Sequence, residues 1–460
     1  MNRRNFLHGL NASALTAATM SGVGTALSSF SAQAATGDGY RALVCVFLGG
    51  GMDNYDTVIP YDTASNARWS EIRQSLLGSY PTSRRRSNLL PLNPTNAGGF
   101  GGRSFALPQE LSGIAGLFES GDAAIVGNVG PLIQPVDRTG FEAQSVRLPP
   151  RLFSHNDQQS VWMANSPEGA QYGWGGLFAD AAFAANRSSE FSVITSGGNE
   201  LFITGRQAVP YQISTGGAAE IYALGDFAEL GLPDLSSRLR RIFRGEIANG
   251  SNLIERDVKA AMTNAFDSNE RFNAALRGLA ALATEFPATG VGEQLGAVAR
   301  SIALRQPLEV NRQVFIIDAG GYDTHDRQAQ DIPRLQAELD GAVVAFQQAM
   351  GELGTSNDVT LFTASDFGRS LAVNGDGTDH GWGAHHFVIG GAVAGQAIYG
   401  DLPVSDFGHA LDAGGGRLIP TTSVDQYAAP LGRWFGLNDT ELADALPNLA
   451  NFTADPLRFL

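Results

Sequence analysis

The chain has 460 residues, a formal charge of −15 and an apolar fraction of 43%. That apolar content supplies a core for one large α/β domain or two ordinary ones and excludes wholesale disorder. The acidic balance argues against a nucleic-acid partner, which needs a basic face. The one basic run, Arg84-Arg85-Arg86, lies in a Pro/Ser/Asn-rich segment and reads as a solvated loop.

At the N-terminus, Arg3 and Arg4 precede Asn5, Phe6 and Leu7. A weakly apolar stretch runs from Ala12 to Phe30 and closes on Ala32-Gln33-Ala34, a small-x-small cleavage pattern. The order of basic, apolar and cleavage regions predicts a twin-arginine signal over residues 1–34. The expected partner is therefore the twin-arginine translocase, and the expected destination is the periplasm or the medium. The stretch is too polar for a spanning helix, so no membrane span is expected in the mature chain.

Residues 35–460 read as a single α/β domain, a mostly parallel sheet with helices on both faces. Strands are expected at Arg41–Leu48, Ala123–Val129, Phe191–Thr195, Gln313–Asp318, Asp358–Thr363 and His386–Ile389. Cys45 falls inside the first of these and reads as a buried small hydrophobe; as the only cysteine it excludes an intramolecular disulfide and, by count, a thiolate metal site. Residues 79–102 read as a loop insertion, and residues 230–300 as a helical cap. From Asp331, a plausible N-cap, to Leu353 the positions Ile332, Leu335, Leu339, Val343, Phe346 and Met350 recur at helical spacing.

Acids and histidines gather after the strands. The first strand runs into Gly49-Gly50-Gly51-Met52-Asp53-Asn54-Tyr55-Asp56. The strand at Gln313 leads to Gly321-Tyr322-Asp323-Thr324-His325, and that at Asp358 to Ser365-Asp366-Phe367-Gly368-Arg369. A loop with Asp376, Asp379, His380, His385 and His386 follows. Ligands of open α/β sheets bind beyond the carboxyl ends of the strands, so these residues can converge. Asp and His without Cys form a ligand set for Mg, Mn, Ca or Zn, and carboxylate-rich sites can hold one or two ions. The competing reading of each single acid is a turn former or cap.

The signal, the Gly-Gly-x-Asp element, Gly-Tyr-Asp-Thr-His, Ser-Asp-Phe-Gly-Arg-Ser, Asp-His-Gly-Trp and the run from Gly416 to Tyr427 resemble the bacterial domain-of-unknown-function 1501 family. That family is commonly grouped with the alkaline phosphatase and sulfatase clan. The resemblance implies an alkaline phosphatase/sulfatase-like fold and a divalent metal held by Asp53, Asp323, His325, Asp366 and His380. Phe367 stands where the clan usually has His, and Asp323 and His325 are closer in sequence than the clan's pair. Both departures bear on whether one ion or two can bind. Ser154, opening a helical stretch, matches the clan's nucleophile position, with a capping role as the alternative. His155 is a candidate ligand or anion contact. Arg369 is a candidate for the non-bridging oxygens of the substrate, or else a structural ion pair.

The implied activity is exported, metal-dependent hydrolysis of phosphate or sulfate esters, on a small molecule or a polymer. The alternative is a non-catalytic exported binding protein that keeps the fold, with or without a structural metal.

Overall fold

The computed structural model describes residues 39–197, 200–219, 231–244, 253–452 and 457–460. Residues 1–34, where a twin-arginine signal is expected, lie outside them. The strands used below are β1 (Arg41–Leu48), β2 (Ala123–Gly130), β3 (Val193–Thr195), β4 (Tyr211–Ser214), β5 (Gly217–Ala218) and β6 (Arg312–Ala319). They continue with β7 (Val359–Ser365), β8 (Arg369–Asn374), β9 (Gly377–His380), β10 (Ala384–Ile389), β11 (Ile398–Gly400) and β12 (Thr422–Ser423).

The main sheet has the order β11-β2-β10-β7-β1-β6-β3-β4-β5, with β12 beside β2. β1 runs parallel to β7 and β6, and β3 runs parallel to β6 and β4. β10 is antiparallel to both β7 and β2, and β5 to β4. The chain is thus an α/β protein with a mostly parallel sheet.

β1 shows why the sheet is covered twice. Ala42, Val44, Val46 and Leu48 enter one apolar cluster, whereas Leu43, Cys45 and Phe47 enter another. A strand alternates its side chains between faces, so a run apolar at every position must be buried on both. One face is covered by α1 (Ser112–Ser120), α4 (Gly290–Ala303) and α5 (Gln328–Glu352). The other is covered by α2 (His155–Ala164), α3 (Trp174–Ala181) and α6 (Val424–Phe435). Cys45 is buried, and burial pushes its thiol well above its ordinary range, as suits a packing residue.

Several expectations shift in detail. α5 begins at Gln328, three residues before the expected cap, because Arg327 enters it from the left-handed region at φ 50°. Residues 79–102 are not a bare loop. Leu90–Pro91 pairs with Phe105–Leu107, which also pairs with Ile59–Pro60. Asn96 bonds both backbone groups of Ile398 and so covers the outer edge of β11. Arg84 is a clear correction to the solvated-loop reading: it is buried, bonded to Asp56, Glu110 and Gln336, and set over the Tyr80 ring. Within residues 230–300, Pro233–Phe243 and Leu253–Arg277 are helices, while α4 belongs to the layer on the sheet. No helix among the described residues is long and apolar enough to cross a membrane.

Candidate metal centre

The three central parallel strands end level, Leu48 lying opposite both Ala319 and Ser365. The residues that follow them therefore emerge at one edge. Gly50 and Gly51 turn the chain there at φ 117° and 98°. A Cβ on Gly50 would lie 2.3 Å from the Asp323 amide nitrogen, and one on Gly51 would lie 2.5 Å from the Phe367 ring. Only glycine lets the turn pack against both neighbouring strand ends.

Four side chains meet beyond this edge. Asp323 follows β6, His325 comes two residues later, His380 closes β9, and His155 opens α2. Nε2 of His380 lies 2.8 Å from Nε2 of His325 and 3.3 Å from Asp323 Oδ1. His325 Nε2 is 3.1 Å from Asp323 Oδ1, and His155 Nε2 is 3.4 Å from Asp323 Oδ2. His155, Asp323 and His380 each offer one ligand atom, and the three atoms lie within 4.8 Å of one another.

The surroundings fix two of the rings. His155 Nδ1 lies 2.5 Å from Asp366 Oδ2, and His380 Nδ1 lies 2.7 Å from the Phe153 carbonyl oxygen. Both contacts require Nδ1 to carry the hydrogen, which leaves Nε2 as a lone pair in each neutral ring. His155 Nε2 is buried and makes no hydrogen bond. A carboxylate or carbonyl behind an imidazole is the usual support of a metal-bound histidine. A zinc-sized ion with bonds of about 2.0–2.1 Å sets tetrahedral donors roughly 3.3 Å apart, which the observed spacings approach. The donor set therefore fits one divalent ion.

The charges agree with this geometry. Burial raises Asp323, but the bond and charge of Arg369, then His155 and His325, hold its carboxyl below the usual range. The hydrogen bond to Asp366 pushes His155 upward against burial. Burial holds His380 down, although its contact with Phe153 opposes this.

The other expected site residues are placed differently. Asp366 stands behind His155 instead of among the four, and its Oδ1 accepts from Gly50 and Gln159. Asp53 is not brought to the cluster. Its carboxylate pairs with both terminal nitrogens of Arg73, at 2.8 and 3.1 Å, and accepts from Gln328 and Tyr55. Arg369 is committed as well. It donates to Asp323, the Gly50 carbonyl, the Thr378 hydroxyl and the Thr378 carbonyl, and its side chain is fully buried. Such a guanidinium positions Asp323 and has no free edge for a substrate anion. Ser154 occupies the N-cap position of α2 without capping it, and its hydroxyl donates to Asp157 at 3.2 Å. Phe367 packs against His155 and His380, with centroids 4.7 and 4.6 Å away. At the position where the family resemblance implies a ligand, this chain has a ring that holds two imidazoles in place.

His385 and His386 lie inside β10, not in a loop. Both are buried, and burial lowers them to about 4 and about 3. Arg73 and Gln328, which capture Asp53, were not foreseen. No local pattern separates them from an exposed helix residue.

An α/β protein with a histidine–carboxylate cluster at the carboxyl edge of its sheet is thereby defined. The chain belongs to the family described as protein of unknown function (DUF1501), whose model matches residues 128–446. No curated protein matches the sequence. Among solved structures, the chain is similar to the C-terminal periplasmic domain of EcEptC from Escherichia coli. That match has 9% identity and a TM-score of 0.37, covering 87% of this chain and 84% of that one. The PsFucS1 sulfatase from Pseudoalteromonas sp. matches at 10% identity and TM-score 0.35, over 87% of this chain and 68% of that one. The alkaline phosphatase of Thermus thermophilus matches at 12% identity and TM-score 0.26, over 76% and 64%.

Proposed function

We propose that this chain is an exported hydrolase of phosphate or sulfate esters that works with one divalent ion held by His155, Asp323, His325 and His380. The observation that carries this reading is the Nε2 of His155, buried without a hydrogen-bond partner and within 4.8 Å of ligand atoms of Asp323 and His380. A bound ion would supply Lewis-acid polarisation of an ester oxygen and activation of water. The protein's own part is to keep the donors in place. Asp366 and the Phe153 carbonyl fix two imidazole tautomers, and Arg369 fixes Asp323. Ser154 is the candidate nucleophile, and Asp157, which accepts its hydroxyl, is placed to take the proton.

Elemental analysis of the purified protein, with an ester screen before and after chelation, tests the proposal. About one Zn, Mn, Mg or Ca per chain and chelator-sensitive turnover are expected. Ser154→Ala then separates two routes: lost turnover with retained metal assigns the nucleophile to Ser154, and retained turnover assigns it to water.

The second reading is a non-catalytic exported binding protein with a structural metal. It is favoured by the internal use of Arg369, whose bonds to Asp323, Gly50 and Thr378 leave no paired N–H edge for an anionic substrate. Stoichiometric metal without turnover of any ester would select it.

A further inference from the structure

A cavity of about 510 Å³ opens beside α4, and it shares no residue with the metal centre. Its size falls within the range of small-molecule sites, roughly 300–1,000 Å³. Leu282, Phe286 and Pro287 give it apolar walls, and Thr215, Glu293 and Arg300 contribute polar groups. Arg300 is the unusual member. It donates one bond, to the Thr215 carbonyl at 2.6 Å, and no carboxylate among the described residues pairs with it. Half-burial alone pulls its guanidinium below the usual arginine range. Two fully buried arginines, by contrast, are matched by acids, Arg73 by Asp53 and Arg84 by Asp56. A Cβ at Gly296 would press on the Phe286 wall at 3.3 Å, and Arg300 Nη1 lies 3.5 Å from that position.

We infer that this cavity binds a small amphiphilic monocarboxylate, with its carboxylate on Arg300 and its apolar body against Leu282, Phe286 and Pro287. A guanidinium edge matches a carboxylate in two parallel bonds. Glu293 on the same wall selects for one negative charge, because a second would face a like charge.

Isothermal titration of the full chain with 2-naphthoate, after chelator treatment to keep the metal centre out of play, tests the assignment. Saturable one-to-one binding is expected. It should weaken at least about tenfold in Arg300→Gln, and 2-naphthamide should bind at least about tenfold more weakly than the acid. Glu293→Gln, on an exposed residue, should tighten naphthoate and keeps the test alive if Arg300→Gln does not fold. No saturable binding, equal binding of the amide, or indifference to either variant would overturn the inference.

Discussion

Two strand ends of this protein carry the same sequence signature and meet opposite fates. After β1, Asp53 and Asp56 are sealed inside, and the Asp53–Arg73 pair has no exposed side-chain surface on either partner. After β6, Asp323 and His325 keep 43% and 44% of their side-chain surface and face two further histidines. Glycine and aspartate after a strand do not decide which outcome follows. Burial does: both ends receive an arginine, but the segment after β1 folds back over Asp53 and Asp56 with Arg73 and Arg84, whereas Arg369 holds Asp323 and leaves its side chain 43% exposed. The first end is a closed electrostatic joint, and the second is an open donor cluster.

The comparison breaks most visibly at the joint. Arg73→Met leaves the Asp53 carboxylate buried and unpaired, and should cost about 3–5 kcal/mol in urea unfolding. Replacing both partners with apolar residues, Asp53→Leu with Arg73→Met, should recover most of that loss. Metal content should survive in any variant that folds, since neither residue touches the cluster. Loss of the ion from a folded Arg73 variant would return Asp53 to the ligand set.

At the open end the expected effects fall on metal and spare the fold. Asp366→Asn removes the carboxylate behind His155 and should weaken metal binding about 10–100-fold, measured by competition with a chelator. His325→Ala should also weaken binding, yet shift the chelated protein's stability by no more than about 0.5 kcal/mol, because the side chain is exposed. A large destabilisation without metal would make His325 a structural residue.

These contrasts mark what the sequence could disclose. β1 was legible to the residue, because a run apolar at every position admits few alternatives to a doubly covered strand. Strand-end placement pointed to Asp323 and His325 but equally to Asp53 and Asp366, and His155 stood at a helix start as a candidate ligand or anion contact. The captures of Asp53 by Arg73 and of Arg84 by Asp56 were not legible. They join residues 20 and 28 positions apart through the packing of the intervening segment, which leaves no periodic trace. Pro, Ser and Asn around Arg84 suggested solvent, yet the side chain was needed inside as a counter-charge.

Histidine gives the finer version of the same contrast. His380 faces the cluster, while His385 and His386, close by in sequence, turn into the sheet. His386 packs against Trp162 and Tyr427 with centroids 5.8 and 5.7 Å away, and its Nδ1 lies 3.3 Å from the Thr363 hydroxyl. Burial lowers it to about 3, against an ordinary value near 6.5. The folded chain therefore binds fewer protons at this ring than the unfolded chain between those values. Stability must fall as pH drops through that window, by up to about 1.4 kcal/mol per pH unit. His386→Phe keeps the ring contacts, removes the titration and leaves the Thr363 hydroxyl without its His386 partner. It should cost about 1 kcal/mol at pH 7 and lose less than the parent on acidification. Urea unfolding at pH 7, 5.5 and 4.5 measures both slopes, and parallel slopes would mean that His386 accepts a proton in the folded protein.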